Sequence, residues 1–356
     1  MTRIALLGPA NSIHLQRWVA ALVQRGHAVL VISQHRCERE LLPASAEVVW
    51  LPHAGSLGYF RNAGPLRRAL ARWRPDILNA HYASGYGSTS ALAGFAPTLL
   101  SVWGSDVYDF PYESVAKGWL LRRNLRRATA IASTSEAMAG QVRRLVPEVG
   151  EIAITPFGVD LTLFAPTPHA PRPLTIGIVK SLAPKYGVDL LLRAFAGVTE
   201  PCRLLIVGEG PQRAELEVLA RELGIAARTG FTGAVAHADV PAFLNRLDIY
   251  AAPSRLDSES FGVAVIEASA CALPVVVSDA GGLPEVVRDG ETGLVVPRDD
   301  VPALRAALQR LVRDAPLRER LGRTGRAHVT RAYEWGHCVE VMEGCYARTI
   351  ARGSAR

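Results

Sequence analysis

The chain has 356 residues, of which 49% are hydrophobic and 21% charged, and its formal net charge is +7. This length favours two domains, and the charge favours anionic partners such as nucleotides, phosphorylated lipids or a membrane surface. Because no run of 18 apolar residues occurs and the N-terminal apolar segment is too short for a signal peptide, we expect no transmembrane helix and no secretion. Five scattered cysteines without a Cys-x-x-Cys pair favour a reduced cytoplasmic protein with neither a disulfide framework nor a zinc site.

Short apolar runs alternate with helical patterns through the first half of the chain. The predicted strands are Arg3–Leu7, Ala28–Ser33, Glu47–Leu51, Asp76–His81, Thr98–Trp103 and Ala130–Thr134, and the predicted helices include Ile13–Arg25 and Pro65–Arg74. Continuous apolar runs are typical of buried parallel strands. The alternation therefore predicts a doubly wound α/β domain over residues 1–165.

A proline-rich segment, residues 166–173, predicts a linker. A second β/α series follows over residues 174–334, with predicted strands at Leu174–Val179, Arg203–Val207, Asp248–Ala252, Pro274–Ser278 and Gly293–Val296. The last helical stretch begins at about Trp335. The sequence thus predicts two Rossmann-like domains joined by a short linker.

Two carboxylates, Glu259 and Glu267, bracket a short apolar stretch after the strand at Asp248–Ala252. We predict Glu259 in the loop at a helix N-terminus and Glu267 about two turns inside that helix. The backbone amides of Phe261, Gly262 and Val263 would suit an anion there. One alternative is that both carboxylates are solvated helix charges. Against it, Glu267 lies among apolar and small residues, where a carboxylate needs a partner such as a ribose diol.

The segment Ser254–Val277, followed by Gly281–Glu285 and Gly293–Pro297, resembles the donor half of glycosyltransferase family 4. These are retaining enzymes of the GT-B fold, in which two Rossmann-like domains face each other across a cleft. The family's paired-glutamate motif matches Glu259 and Glu267.

The resemblance implies that Glu259 contacts hydroxyls of the transferred sugar and Glu267 the ribose of the nucleotide. It implies that the amides of Phe261, Gly262 and Val263 meet the sugar and the diphosphate. It also implies that the C-terminal helix, residues 335–356, packs back on the N-terminal domain. The family usually has Gly where this chain has Ala272, and we expect the methyl group only to adjust packing.

Two of the three lysines in the chain, Lys180 and Lys185, flank the loop after the strand at Leu174–Val179. A leaving diphosphate gains negative charge in the transition state, and preorganised cations stabilise that charge. The family uses an Arg and a Lys at this spacing, so the resemblance implies that Lys180 takes the Arg position. The alternative is two solvated loop lysines. No Asp-x-Asp occurs, and we therefore expect neither a metal ion nor another cofactor.

Two further loops resemble parts of the family's donor pocket. Gly208 follows a strand and either lines that pocket or forms a tight turn. The segment that contains Ala234 and Val235 resembles the family's base-binding loop, which implies that backbone groups of these two residues contact the base. Uridine is the commonest base in the family, so the resemblance implies a UDP-sugar.

Several residues of the first half are candidates for acceptor binding. Trp103 stands where many relatives carry a catalytic-site His, and Trp103-Gly-Ser-Asp106 resembles a polysaccharide-biosynthesis branch of the family. Asp106 either contacts a sugar, as a candidate catalytic residue, or caps a helix. His81, at a strand end, either binds acceptor or packs. In the first β/α loop, Ser12 either contacts acceptor or caps the helix, and His14 either contacts acceptor or is structural.

Basic residues cluster at residues 117–127, beside Trp119, and at residues 67–74, beside Trp73. They form either solvated helix faces or a patch that docks on anionic lipid at the inner face of the cell membrane. Because no nucleic-acid motif accompanies them, we do not expect a nucleic-acid partner.

Together these features predict a retaining, metal-independent hexosyltransferase. It would move a sugar from a UDP-sugar to a saccharide or lipid-linked acceptor in surface-polysaccharide or glycolipid biosynthesis. Two alternatives remain open, a GT-B sugar-nucleotide epimerase and a catalytically inactive nucleotide-sugar-binding scaffold subunit.

Overall fold

The computed structural model describes residues 1–168 and 172–354, so His169–Pro171 of the predicted linker lie outside the described residues. The chain divides into two compact units. The first contains residues 1–157 and the chain from Cys338 onwards, and the second contains Gly158–His337. Each unit has one parallel sheet with helices around it. The predicted α/β class with two Rossmann-like domains is confirmed.

The described part of the first unit contains a seven-stranded sheet in the order β3-β2-β1-β4-β5-β6-β7. Its strands are β1 Arg3–Leu7, β2 Ala28–Ser33, β3 Glu47–Trp50, β4 Ile77–His81, β5 Thr98–Ser101, β6 Ala130–Ser133 and β7 Ile152–Ile154. All the neighbouring pairs are parallel. The central strands β1 and β4 are almost wholly buried, as their apolar sequences require.

Helices connect these strands and cover the sheet. They are α1 Ile13–Gln24, α2 Gly55–Arg61, α3 Ala63–Trp73, α4 Gly85–Ala93, α5 Ser105–Tyr108, α6 Val115–Arg127 and α7 Glu136–Leu145, with 3-10 turns at Arg39–Leu41 and Phe110–Tyr112. The strand order changes direction between β1 and β4. Ligands of open α/β sheets bind at such a switch point, beyond the carboxyl ends of the strands.

The second unit repeats this plan with a six-stranded sheet, β10-β9-β8-β11-β12-β13, in its described residues. Its strands are β8 Thr175–Val179, β9 Arg203–Val207, β10 Thr229–Phe231, β11 Ile249–Ala252, β12 Val275–Ser278 and β13 Leu294–Val296. Its helices are α8 Val188–Ala196, α9 Arg213–Glu222, α10 Val240–Leu244, α11 Val263–Ala270, α12 Leu283–Val286, α13 Val301–Arg313 and α14 Ala315–Ala332, with 3-10 turns at Pro184–Tyr186, Ala226–Arg228 and His237–Asp239. The switch point of this sheet lies between β8 and β11.

The last helix, α15 Trp335–Ser354, runs from the second unit into the first. Within the first unit, the buried hydroxyl of Tyr346 donates to Asn79 Oδ1 at 2.9 Å. His27 and Arg25 meet Glu343 on the same helix. The division between the units falls after Phe157 rather than in residues 166–173. Phe164 is buried within the second unit, which explains why the segment before the prolines belongs there.

Most predicted strands match the observed ones to within two residues, but β7 and β10 were not predicted as strands. Both have three residues, too few to show a periodicity. Among the described residues, no helix combines the length and the apolar character needed to cross a bilayer.

The expectation that a methyl group at position 272 only adjusts packing is wrong. Ala272 follows the end of α11 with φ of 59°, in the left-handed region where a Cβ costs about 1–2 kcal/mol. Glycine is favoured at such a helix end for this reason.

We therefore expect Ala272→Gly to raise the free energy of unfolding by roughly 0.5–1 kcal/mol, the strain relieved less the extra entropy of an unfolded glycine. Ala270→Gly is the matched control, since Ala270 is the last residue of α11 and glycine is a poorer helix former than alanine, and it should lower stability by about 1 kcal/mol. Denaturant unfolding measures both. A loss of stability in Ala272→Gly would contradict the strain.

Candidate functional site

An ion pair lies at the switch point of the second sheet. Lys180 follows β8 and Glu259 follows β11, and Lys180 Nζ donates to Glu259 Oε1 at 2.8 Å. Only 18% of the lysine side chain and 9% of the glutamate side chain are exposed. Burial opposes the charge of Lys180, but Glu259, Tyr186 and Glu267 outweigh it and hold the pKa of Lys180 above its usual value. The pair therefore keeps a cation at the switch point, the position at which open α/β sheets generally bind ligands.

Lys185 lies on the 3-10 turn after β8, and both lysines contact the ring of Tyr186. The Lys180 and Lys185 ammonium groups are 4.6 Å and 4.9 Å from the centre of that ring. Lys185 has no ion-pair partner among the described residues, so its charge is available to an anion. The structure thus brings both predicted lysines to one loop and joins one of them to a predicted glutamate.

Glu267 lies on α11, four residues after its first residue Val263, so it is one turn inside the helix rather than two. It is 5% exposed, and its Oε1 lies 2.9 Å from His237 Nε2. The ring of Phe164 packs at 5.5 Å from that of His237. His237 was not among the residues predicted from the sequence. His237 follows Ala234 and Val235 in the same loop. A polar side chain beside a predicted base-binding loop was the signal in the sequence that could have identified it.

The carboxylates of Glu259 and Glu267 have the same pattern of hydrogen bonding. In each, Oε1 has a partner, while Oε2 has no hydrogen-bond partner among the described residues. Tyr250 of β11 lies beneath them, fully buried, and its burial together with Glu259 and Glu267 raises the pKa of its hydroxyl. A carboxylate held on one side and open on the other can accept hydrogen bonds from sugar or ribose hydroxyls.

Gly208 lets two loops meet beside Lys180. Its φ is +142°, and a Cβ there would lie 1.9 Å from the Lys180 carbonyl oxygen. Its amide donates to the Gly233 carbonyl at 2.9 Å. Glycine is required here by both conformation and space. The loops after β8, β9 and β10 are therefore in contact, which joins Gly208 and the loop of Ala234 and Val235 to the lysines.

The first turn of α11 also lies at this end of the sheet. Gly262 precedes the helix with φ of +95°, and Phe261 is buried against Tyr333. The first amides of a helix have no acceptor within it. Gly262 and Val263 thus present donors beside Glu259, as the sequence predicted for an anion.

In the first unit, three of the four residues predicted to bind acceptor meet in an aromatic cluster. Trp103 lies 5.1 Å from His81, 4.9 Å from Tyr82 and 5.8 Å from His14 between ring centres. His14 stacks on Phe157 at 4.3 Å. Trp103 and His14 are partly exposed, so both can contact a ligand.

His81 is placed differently. It is 1% exposed, and neither ring nitrogen has a hydrogen-bond partner among the described residues. Burial lowers its pKa to about 3, so its ring is neutral at neutral pH. The structure favours the packing alternative for His81, because the buried His81 ring packs against the ring of Trp103.

Asp106 is 1% exposed and its carboxylate accepts three backbone N–H groups. They belong to Ala83 at 2.7 Å, Gly104 at 2.8 Å and Trp103 at 3.1 Å. Burial raises the pKa of this carboxyl, although the amides act in the opposite direction. Asp106 therefore holds the loops after β4 and β5 together, and it neither caps the following helix nor faces solvent.

Ser12 occupies the N-cap position of α1, but its side chain makes no capping hydrogen bond. Its hydroxyl is thus not committed to the helix. In the described residues, no three His, Cys, Asp or Glu side chains form a group that could hold a metal ion. Metal independence stays a prediction.

Comparison with known proteins gives matches over both units. Residues 161–328 match the family described as glycosyl transferases group 1, and residues 3–135 match the family described as glycosyl transferase 4-like. A GDP-mannose-dependent alpha-(1-6)-phosphatidylinositol monomannoside mannosyltransferase of Mycolicibacterium smegmatis is 35% identical over 51% of this chain and 52% of its own, so this chain spans about half of that relative.

The protein of the same name from Mycobacterium tuberculosis strain H37Rv is 30% identical over 68% of each chain. Among solved structures, sucrose-phosphate synthase from Thermosynechococcus elongatus is 22% identical, with a TM-score of 0.85 over 99% of this chain and 100% of that one. The likeness to that structure shows a common fold.

Proposed function

The chain belongs to the group 1 glycosyltransferases of family 4, and from that membership we propose that it transfers a hexose from a nucleoside diphosphate sugar to a saccharide or glycolipid acceptor. Its fold is GT-B. The observation that carries the proposal is the grouping of Lys180, Lys185 and Glu259 with the first turn of α11 at one switch point.

The charge of a nucleoside diphosphate supports this position for the donor. Two cations and the N-terminal amides of α11 suit a diphosphate. Glu259, with Oε1 on Lys180, would accept sugar hydroxyls through Oε2. Glu267, held by His237, would accept the ribose hydroxyls, and the backbone of Ala234 and Val235 would meet the base.

We propose GDP-mannose as the first donor to test. The names of the two mycobacterial relatives specify GDP-mannose. The UDP-sugar implied by the family resemblance stays a prediction, because backbone contacts to a base leave no side-chain signature in the sequence. Neither base changes the proposed roles of the lysines and glutamates.

A front-face mechanism with retention fits this arrangement. The bond between the anomeric carbon and the diphosphate oxygen breaks, while the acceptor hydroxyl oxygen bonds to the same carbon on the same face. The proton of that hydroxyl passes to the leaving diphosphate. Lys180 and Lys185 stabilise the charge that grows on the diphosphate, and Glu259 positions Lys180 as well as the sugar.

Nucleotide binding is tested by thermal unfolding with GDP, UDP and ADP and with their sugars. A ligand at about 100 times its Kd adds roughly 2.7 kcal/mol to stability. We expect one nucleotide to raise the Tm of wild type and to lose this effect in Glu267→Ala. Glu291→Ala is the control, since Glu291 is an exposed carboxylate of the same unit. No shift with any nucleotide would contradict the proposed donor site. Binding without transfer to any acceptor would favour the scaffold alternative.

Lys185→Ala tests the chemistry. Because the ammonium acts on charge that develops in the transition state, we expect kcat to fall by roughly 10²–10³, or about 3–4 kcal/mol. Arg323→Ala removes an exposed cation of the same unit, on α14, and should leave kcat unchanged. Rates come from radiolabelled sugar transfer at saturating donor. Unchanged turnover in a folded Lys185→Ala protein would remove Lys185 from the mechanism.

A membrane surface is the proposed location of the acceptor. On and before α6, Trp119 is 63% exposed, Val115 90% and Tyr112 67%. Basic residues share this helix, namely Lys117, Arg122, Arg123, Arg126 and Arg127. Exposed apolar side chains beside cations match the interface of an anionic bilayer.

We expect the protein to sediment with phosphatidylcholine vesicles only when they contain phosphatidylglycerol, and to be released by salt. Each basic residue at the surface contributes about 1 kcal/mol, so Arg127→Gln should weaken binding about fivefold. Trp119→Ala should weaken it too, whereas Arg323→Gln, on α14, should not. Equal binding to neutral vesicles would contradict the charge argument.

A further inference from the structure

A pocket of about 460 Å³ lies in the first unit, beyond the carboxyl ends of β1, β2, β4 and β5. It is at the switch point of that sheet, and its volume falls within the roughly 300–1,000 Å³ usual for small-molecule sites. We propose that this pocket is a subsite for an uncharged sugar residue of the acceptor. The proposal rests on the glycosyltransferase function above and names the chemical class that this part of the acceptor must have.

One wall of the pocket is aromatic. The rings of Tyr59 and Tyr86 meet edge to face at 5.2 Å, and His35 lies 5.7 Å from Tyr86. Tyr86 is 1% exposed, whereas Tyr59 and His35 are partly exposed. Tyr59 packs its ring over Gly85, where a Cβ would lie 2.4 Å away. The wall is therefore closely packed, and it offers Tyr59 as an apolar platform for one face of a sugar ring.

The hydrogen bonds behind this wall determine what His35 presents to the pocket. The Tyr86 hydroxyl accepts from the Gln34 amide at 3.2 Å and lies 2.7 Å from His35 Nδ1. Ser33 Oγ donates to the His35 carbonyl and accepts from the amides of Ala10 and His35. Ser33 Oγ therefore has no acceptor position left for the Tyr86 hydroxyl, and that hydroxyl donates to His35 Nδ1 instead.

Nδ1 is then an acceptor, which places the single N–H proton of a neutral His35 on Nε2. Burial lowers the pKa of His35, which agrees with a neutral ring. Nε2 has no hydrogen-bond partner among the described residues, so the pocket receives one fixed donor without a positive charge. A hydroxyl oxygen is a suitable acceptor for it.

The remaining polar groups are acceptors or hydroxyls. Asp109 and Glu113 lie at the rim, and Ser84 and Ser105 add hydroxyl groups. No lysine or arginine is among the described residues that line the pocket. Lys117 contacts Glu113 from the next turn of α6, but it does not line the pocket. Carboxylates accept hydrogen bonds from sugar hydroxyls and repel a phosphate.

The pocket adjoins the aromatic cluster predicted to meet the acceptor. Tyr82 lines it and also packs on Trp103 at 4.9 Å. An acceptor that contacts Trp103 could thus place a neighbouring sugar on Tyr59. The relatives' names specify a phosphatidylinositol monomannoside, which has both a sugar and a phosphate. For such a glycolipid, the charge of the pocket selects the sugar and excludes the phosphate.

Saturation-transfer NMR and calorimetry on the full chain test this directly. The neutral probes are methyl glycosides of mannose, glucose and galactose, and the charged probes are the corresponding sugar 6-phosphates. We expect a neutral probe to bind wild type at least tenfold more tightly than its phosphate. Equal or tighter binding of the phosphate, or no binding of any neutral probe, would overturn the proposal.

Variants then assign the site. Asp109→Asn with Glu113→Gln should weaken the neutral probe about tenfold, since hydrogen bonds to charged groups are lost, and should strengthen the phosphate. Glu38→Gln with Glu40→Gln removes two exposed carboxylates outside the pocket and should change neither. Tyr59→Ala should weaken the neutral probe about tenfold, while Tyr59→Phe, which keeps the ring, should retain it. Unchanged neutral binding in both the carboxylate pair and Tyr59→Ala would overturn the proposal.

These outcomes are separate from those of the donor test. If nucleotides bind and sugar transfer occurs, but the pocket variants do not change probe binding, then the subsite proposal is wrong and the proposed function is retained. If no nucleotide binds, the donor proposal fails, while probe binding still reports on the pocket.

Discussion

The contact between the Gly208 backbone and the Lys180 carbonyl is the constraint on which the candidate donor site depends. With φ of +142° and 1.9 Å between a hypothetical Cβ and that carbonyl, only glycine fits. The contact brings the loop after β9 against the loop after β8, and the Gly208 amide then binds the carbonyl of Gly233. Three loops that are distant in the chain thus form one surface. Lys180 can point at Glu259 because its own backbone is held in this way.

Each glutamate in this surface has one partner. Lys180 and His237 each occupy one carboxylate oxygen, of Glu259 and Glu267 respectively. The partly buried ion pair of Lys180 and Glu259 contributes little to stability, because desolvation offsets much of the attraction. The effect of both contacts is positional, since each orients a carboxylate whose second oxygen remains open. A site arranged in this way can recognise hydroxyl groups while it keeps cations beside them for a diphosphate.

In the first unit, the buried side chains of Asp106 and His81 hold the loops and the ring of Trp103 in place. Asp106 is saturated by three amides and His81 is neutral beneath Trp103, so neither is arranged to move a proton. What remains accessible is aromatic and uncharged at Trp103 and Tyr59, with carboxylates at the rim of the pocket. The two units therefore differ in the chemistry they offer. The candidate donor site of the second unit combines cations and helix amides with the two glutamates, whereas the pocket of the first unit has aromatic rings, hydroxyls and carboxylates without a lysine or arginine among its described lining residues.

The sequence by itself determined the local features. Continuous apolar runs predicted the central strands, because a buried parallel strand needs no polar face, and the scarcity of lysine drew attention to Lys180 and Lys185. The spacing of Glu259 and Glu267 predicted a loop and a helix at a ligand site. Periodicity could not predict the three-residue strands β7 and β10. It also could not predict the left-handed conformation of Ala272.

Only the tertiary structure decided which side chains meet. Lys180 and Glu259 are 79 residues apart in the chain, and His237 and Glu267 are 30 apart. The Asp106 carboxylate accepts from the amide of Ala83, 23 residues away, and the rings of His35 and Tyr59 contact Tyr86 from different parts of the chain. Periodicity and composition report on neighbours along the chain, whereas these contacts depend on the order and register of strands in a sheet. For that reason the sequence could name the candidate residues, and the packing of the sheets assigned their partners.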